Sequence, residues 1–282
     1  MQWSIGGNIA FNENKIIELG TDRQFPNTLW NSFKPFVLEE GRPIGQIMGF
    51  VEDGIWSSRE EIINSAQFQK LYPGYTVDSN DDATEKLIDK SWLGEIRYKD
   101  LDGNDEITDN DITYLGTTNP KYTYGFNTSF SYKGFDLNVL FQGVHGNMIL
   151  NQPLIRWYNI GNTRNIPVDI LKEAWSPENP NGTAPKVYIT YDRTERVSGR
   201  YFEDGSYLKL RSVSLGYTFN NPVKGIGSLR ISLSGNNLWT LTDYSGYDPE
   251  VNSFGSDPQT RGIDSGAYPQ SRSFIFGVNL TF

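Results

Sequence analysis

At 282 residues, with 37% hydrophobic and 21% charged positions, the chain has room for one large all-β domain or two average ones. A formal charge of −9 excludes a nucleic-acid partner, because phosphate binding needs a basic stripe. With no cysteine and a single histidine, His145, the sequence excludes disulfides, thiolate catalysis, Cys-based zinc sites, His-based triads and multi-His metal sites.

Aromatic residues make up 14% of the chain and glycine contributes 28 positions, a pairing that suits many strands joined by tight turns. No stretch approaches the roughly 18 consecutive apolar residues of a membrane-spanning helix. Met1 is followed at once by Gln-Trp-Ser-Ile-Gly-Gly, without a basic or apolar leader region, so no signal peptide is expected. The first residues already read as mid-strand, and the expectation is a fragment of a longer protein.

Period-two alternation dominates the chain. Trp3, Ile5, Ile9 and Phe11 alternate with Ser4, Asn8 and Asn12. A weaker strand-like region spans Pro35 to Trp56. Ser58 then caps an expected helix over Arg59–Leu71, with Glu61 at the capping-box position. From Tyr122 to Tyr132 every second residue is Tyr, Phe or Thr, opposed by Thr123, Gly125, Asn127, Ser129 and Ser131. Lys133-Gly134 makes a two-residue break, after which Phe135, Leu137, Val139 and Phe141 alternate with Asp136, Asn138 and Gln142, predicting a hairpin. A second helix is expected over Asn165–Trp175, with Pro167 near its start.

Towards the end, Val213, Leu215, Tyr217 and Phe219 form one alternating run, and Leu229, Ile231 and Leu233 form another. Phe274, Phe276, Val278, Leu280 and Phe282 form the last. Roughly eight strands are expected, most near the 9–11 residues with which a tilted strand crosses a bilayer. Short turns (Lys133-Gly134, and Asn220–Gly227 with Pro222) contrast with long polar insertions at 57–120, 146–205 and 244–272.

A soluble β-sandwich alternates in the same way. Three details favour a transmembrane barrel instead. The polar faces hold Ser, Thr, Asn and Gly, as a wet lumen requires. The apolar faces carry Phe and Tyr near strand ends, like interfacial girdles. The sequence also stops on an apolar-face aromatic, Phe282, which resembles the terminal signature of outer-membrane barrels.

Asp100-Leu-Asp102-Gly-Asn104-Asp-Glu106-Ile-Thr-Asp-Asn-Asp111 reads as a calcium loop, with oxygen ligands at its first, third and fifth places and an acid at its end. The expected ligands of one Ca2+ are Asp100, Asp102, Asn104, Asp111 and the Glu106 carbonyl. The fit is imperfect: Asp105 stands where such loops need glycine, and the last acid is Asp rather than Glu. A solvated acidic turn held by Asx hydrogen bonds is the alternative. The pairs Glu60/Glu61 and Asp81/Asp82 read as solvated surface, and His145 as a rim residue. Trp157, Tyr158, Tyr188, Tyr191, Tyr244 and Tyr247 lie in the long loops, where they either meet cargo or pack the loops together. No substrate contact is assigned.

The chain resembles the C-terminal part of the SusC/RagA family of TonB-dependent outer-membrane transporters. The matching strings run in the family's order. Gly-Glu-Ile-Arg-Tyr-Lys-Asp-Leu-Asp-Gly-Asn (94–104) comes first, then Asn-Pro-Lys-Tyr-Thr-Tyr-Gly-Phe-Asn (119–127), Ser-Tyr-Lys-Gly-Phe-Asp-Leu (131–137) and Phe-Gln-Gly (141–143). Asp-Gly-Ser-Tyr-Leu-Lys-Leu-Arg (204–211), Leu-Gly-Tyr (215–217) and Ser-Gly-Asn-Asn-Leu (234–238) follow. Gly-Tyr-Asp-Pro-Glu (246–250), Tyr-Pro-Gln-Ser-Arg (268–272) and Phe-Gly-Val-Asn-Leu-Thr-Phe (276–282) complete the series.

The resemblance implies an all-β fold, the C-terminal portion of an antiparallel transmembrane β-barrel of about 22 strands with a plugged lumen. It places the plug domain, a TonB box and the other strands upstream, outside residues 1–282. It implies a SusD-like surface lipoprotein as partner, energy delivered by TonB through the plug, and import of glycans or peptides across a Gram-negative outer membrane, with no enzymatic activity. A secreted β-sandwich that binds carbohydrate remains the alternative.

Overall fold

The computed structural model describes residues 1–20, 34–79, 81–158, 165–187, 196–253 and 261–282, together with the backbone of Arg23–Gln24. Six long strands form one antiparallel sheet, here called the wall. They are β1 (Gln2–Ala10), β2 (Tyr122–Tyr132), β3 (Phe135–His145), β4 (Tyr207–Val223), β5 (Ile226–Thr242) and β6 (Ser273–Thr281), and they neighbour one another in chain order.

The register explains why the alternation matters. Residues paired directly across a ladder share a face. Trp3 pairs with Phe130, Phe130 with Leu137, Leu137 with Leu215, Leu215 with Leu233 and Leu233 with Phe276. One residue along, Ser4, Ser129, Asn138, Ser214 and Ser234 make a polar row on the other face. The apolar row is bare: Trp3 is 63% exposed and Phe276 68%. In a β-sandwich a second sheet would bury that face.

All long connections leave the same end of the wall, after Ala10, His145 and Thr242, and the two short turns lie at the other end. At Lys133-Gly134 both residues take left-handed backbone, φ 47° and 86°, as a two-residue hairpin turn requires. β4 and β5 run longer than the alternation suggested, 17 residues each, so their turn shrinks to Lys224-Gly225. Pro222 falls in a bulge between Asn220 and Val223, where its missing N–H costs no ladder bond.

Six long strands, rather than roughly eight, make up the wall among the described residues. The chain leaves it already at Ala10, and Pro35–Trp56 goes instead to a cap built from the connections. There Phe36–Glu39, Gln46–Gly49 and Thr113–Thr117 form a small sheet with Arg23–Gln24, and Glu52–Ile55 pairs with Ile96–Tyr98. Met148–Asn151, Phe202–Asp204 and Ile263–Asp264 form another sheet, tying the second and third long connections together.

The helix expected over Arg59–Leu71 is two, α1 (Arg59–Ile63) and α2 (Ala66–Leu71). Ser58 caps the first by accepting from the Glu61 N–H. Ser65 interrupts it, bonding Ile62 O and Phe68 N and so ending one helix and starting the next. α3 (Asp82–Ser91) was not anticipated; Asp81 is its N-cap. Two further short helices are α4 (Gln152–Tyr158) and α5 (Val168–Glu173), the latter shorter than the expected 165–175.

The cap holds the buried core. Phe36, Ile47, Leu150, Ile155, Tyr201, Phe202 and Ile263 pack in one cluster, and Trp56, Ile62, Ile63, Phe68 and Ile88 in another.

Candidate functional site

Where the cap meets the wall, β4 carries a bulge at Arg211, between Leu210 and Ser212. The extra residue keeps Leu208 and Leu210 on the same face as Val213 and Leu215, and leaves Tyr207, Lys209 and Arg211 on the polar face. A segment of the last connection, Tyr244–Glu250, lies across those three side chains. Lys209, only 1% exposed, donates from Nζ to Asp248 Oδ1 (2.9 Å) and Oδ2 (3.1 Å) and to Glu250 Oε2 (2.6 Å).

Arg211 forks onto Glu250 at 2.9 and 2.6 Å and reaches Gln142 on β3 and Asn237 on β5, each at 3.1 Å. Tyr207 donates to Glu250 Oε1 at 3.0 Å, and Gln270 N donates to Asp248 Oδ2 at 3.3 Å. Burial pushes both carboxyls up. Bonds from the Glu250 N–H and Lys209 to Asp248, and from Lys209 and Arg211 to Glu250, outweigh it, holding both below the usual carboxylate range.

This knot was not assigned in advance. Its signal was present, an inward Lys and Arg in Tyr-Leu-Lys-Leu-Arg and two acids two residues apart in Gly-Tyr-Asp-Pro-Glu, but nothing in the sequence paired the strings.

Lower on the polar face, Arg230 reaches from β5 across β4 to Asp136 on β3, its Nη2 at 2.8 Å from Oδ2. It passes over Gly216, where a Cβ would stand 2.4 Å from Arg230 Nη2. Ser234 and Ser214 bond side chain to side chain at 2.9 Å. The polar face is thus internally bonded.

In the acidic loop, carboxylate oxygens of Asp100, Asp102 and Asp111 come within 4.8 Å of one another. Asp111 is fully buried and accepts from Leu101 N (2.7 Å), Asp102 N (3.4 Å) and Thr108 N (2.7 Å). Asp100 accepts from Gly103 N (2.7 Å), Asn104 N (3.3 Å) and Asp105 N (2.6 Å). Desolvation raises the Asp100 carboxyl, but these N–H groups together outweigh it and hold it below the ordinary range.

Asp105 adopts φ 64°, the left-handed backbone that glycine supplies in such loops. Asn104 Oδ1 accepts from Glu106 N at 2.7 Å, and the Glu106 carboxylate turns away to Lys70 at 3.4 Å. The three expected carboxylate ligands, Asp100, Asp102 and Asp111, therefore lie together. The loop is also closed by its own N–H groups, as the Asx alternative has it.

The remaining candidates separate. Glu61 takes Ser57 N and Oγ, each at 2.9 Å, and Asp81 caps α3, so these acids serve helix starts. His145 ends β3 at the rim with its ring 4.9 Å from that of Tyr122. Tyr244 is buried and donates to Asp264 Oδ2 at 2.6 Å, a packing role. Tyr158 lies under Arg200, 5.3 Å away, and Trp157 is half-buried. Tyr247 stands free at 80% exposure. Tyr188 and Tyr191 lie outside the described residues.

A sheet with a polar row on one face, an apolar row on the other and long connections at one end only is built as a segment of β-barrel wall would be. No family model matches the chain. Among curated proteins it is 33% identical over 293 residues to the TonB-dependent receptor P3 of Formosa agariphila, and 23% identical over 288 residues to the TonB-dependent receptor SusC of Bacteroides thetaiotaomicron. Each match covers 99% of this chain; the chain spans 27% of the length of the first relative and 24% of the second. Among solved structures, that of the RagAB peptide transporter has the same fold, with a TM-score of 0.69 and 21% identity over 99% of this chain and 27% of that one. The chain belongs to the SusC/RagA family of TonB-dependent transporters.

Proposed function

We propose that the chain supplies part of the wall and outer cap of a transporter in the Gram-negative outer membrane, apolar face to lipid and polar face to the lumen. One observation carries this reading: an uninterrupted apolar row, exposed at Trp3, Leu215, Leu233 and Phe276, runs along one face of a six-stranded sheet whose other face carries a polar row. β1 and β6 end the sheet. In lipid each unpaired backbone group costs several kcal/mol, so both edges need further strands, and a closed barrel of about 22 would provide them. A plug in the lumen, TonB pulling on it and a SusD-like lipoprotein over the cap complete the machine, with glycans or peptides as cargo. A secreted carbohydrate-binding sandwich fits worse, because it would have to leave its apolar face in water.

The acidic loop is proposed to take one Ca2+ through Asp100, Asp102 and Asp111, with Asn104 and the Glu106 carbonyl completing the set. The ion would brace the cap; no transport step is assigned to it.

No cysteine within residues 1–282 competes with an introduced one, which makes the facing testable. In the whole transporter, Leu233→Cys should react only with a lipid-soluble maleimide and Ser234→Cys only with a water-soluble one. Equal labelling of both by the water-soluble reagent, with recovery in the soluble fraction, would reject the membrane reading.

A further inference from the structure

The cap carries an open cavity of about 610 Å³ between α2, the strand Ile96–Tyr98, the turn Asp105–Thr108 and Arg196. Its size suits a small organic ligand. Trp92, Tyr98 and Ile107, all half-buried, give it apolar walls.

Arg196 stands out among its polar groups. The guanidinium lies over the rings of Phe50 (4.8 Å) and Tyr98 (5.5 Å), and its Nη2 donates to the Ile107 carbonyl at 3.2 Å. Its Nη1 is buried and has no hydrogen-bond partner among the described residues. The acids on the same cavity are differently placed: Glu95 lies 3.9 Å from Lys186 Nζ, and Glu106 3.4 Å from Lys70 Nζ. Among the described residues no carboxylate pairs with Arg196. Of the cavity's three acids, Glu95 and Glu106 each lie near a lysine and Asp105 is exposed to solvent, whereas Arg196 has no anion among the described residues. A guanidinium with one unbonded, desolvated donor is matched best by a carboxylate, which would share Nη2 and meet Nη1 only after a small turn of the side chain brings that covered atom to the cavity.

We propose that this cavity binds a small organic carboxylate, its apolar body against Trp92 and Ile107 and its charge on Arg196. The site belongs to the cap alone and stands whether or not the wall transports anything. Free acids and peptide C-termini share this chemistry.

The test is calorimetric titration of the detergent-solubilised whole transporter with N-acetyl-tryptophan and with its amide. The acid should bind saturably and the amide at least tenfold more weakly. Arg196→Met should lower affinity for the acid at least tenfold, and Arg196→Lys should restore part of it. Leu71→Trp, which adds bulk to the cavity wall at α2, should weaken binding of the acid. A blocked dipeptide ending in a free tryptophan acid tells the two sources apart: binding as tight as the single residue indicates peptide ends, and exclusion indicates free acids. Equal binding of acid and amide, no binding of the acid at millimolar concentration, or unchanged affinity in Arg196→Met would each overturn the proposal. The acid–amide comparison uses the unaltered protein and so does not depend on any variant folding.

Discussion

Wall and cap are made from one chain under opposite rules. In the cap, Phe68, Ile47 and Ile88 are at most 1% exposed; in the wall, Leu233 is 53% exposed and Phe276 68%. Cap stability follows from apolar area withdrawn from water, roughly 25 cal/mol per Å². The wall gains nothing comparable in water, since its apolar row stays outside. In the proposed membrane setting the backbone ladder would hold it, because lipid offers no water to satisfy an open N–H. The Lys209 knot sits on the boundary, and its ions suit neither solvent unpaired. Exposure of large apolar side chains is therefore a defect or a design feature depending on which region carries them.

The largest effects should come from emptying the cap core or unpairing the knot. Phe68→Ala removes a ring that contacts Tyr72, Tyr75 and Trp92, at a cost of about 3–5 kcal/mol. Hydrogen exchange should accelerate across α1–α3 and leave β2–β5 protected; uniform acceleration would mean that wall and cap are one cooperative unit. Lys209→Met strands Asp248 without its cation, a loss of about 3–5 kcal/mol for a broken buried pair. The segment 244–250 should become protease-sensitive. A variant as resistant as the parent would show that Arg211 alone holds the knot.

The knot also sets a pH dependence. Asp248 and Glu250 are held below their unfolded values, so their contribution is complete above the ordinary carboxylate range. It is lost as pH falls through the lowered values. Protease resistance of 244–250 should hold from neutral pH down through the usual carboxylate range and fail only in stronger acid. Failure nearer neutrality would refute the assignment.

How legible this was depended on the region. The wall follows a two-residue period, so Trp3, Phe130, Leu137, Leu215, Leu233 and Phe276 could be assigned one face from the sequence alone. The bulge at Arg211 was not visible, because alternation resumes cleanly at Val213 and the preceding residues look out of phase. The cap follows no single period. Its strands near Phe36 and Gln46 are four residues long, and Ile47 is buried by Leu150 and Tyr201 from far along the chain. The acidic loop was legible because its contacts are local. The Lys209 knot joins residues some forty positions apart, and spacing alone cannot join them.

Facing is the next test of the contrast, with a smaller effect. Leu215→Arg places a charge on the lipid side and should cost about 2–4 kcal/mol near mid-membrane. Ser214→Arg, one residue away on the wet face, should cost close to nothing. Denaturant titrations of the whole barrel in lipid vesicles read the difference. Equal costs would mean that both faces meet water, and the distinction between wall and cap would collapse.

The smallest expected effect belongs to the acidic loop, and it separates the two readings of that loop. If Ca2+ binds Asp100, Asp102 and Asp111, tenfold excess over the dissociation constant adds on the order of 1.4 kcal/mol to the cap's stability. Asp102→Asn should remove that gain, because Asp102 is exposed and its carboxylate accepts chiefly from Asn104, so the apo loop loses little. Asp111→Asn is a poorer probe, since it also cuts the three N–H bonds that close the turn. Thermal unfolding with calcium and with chelator, followed at cap tryptophans such as Trp56 and Trp92, decides it. Identical curves would leave a turn closed by its own backbone, with the carboxylates acting as acceptors rather than ligands.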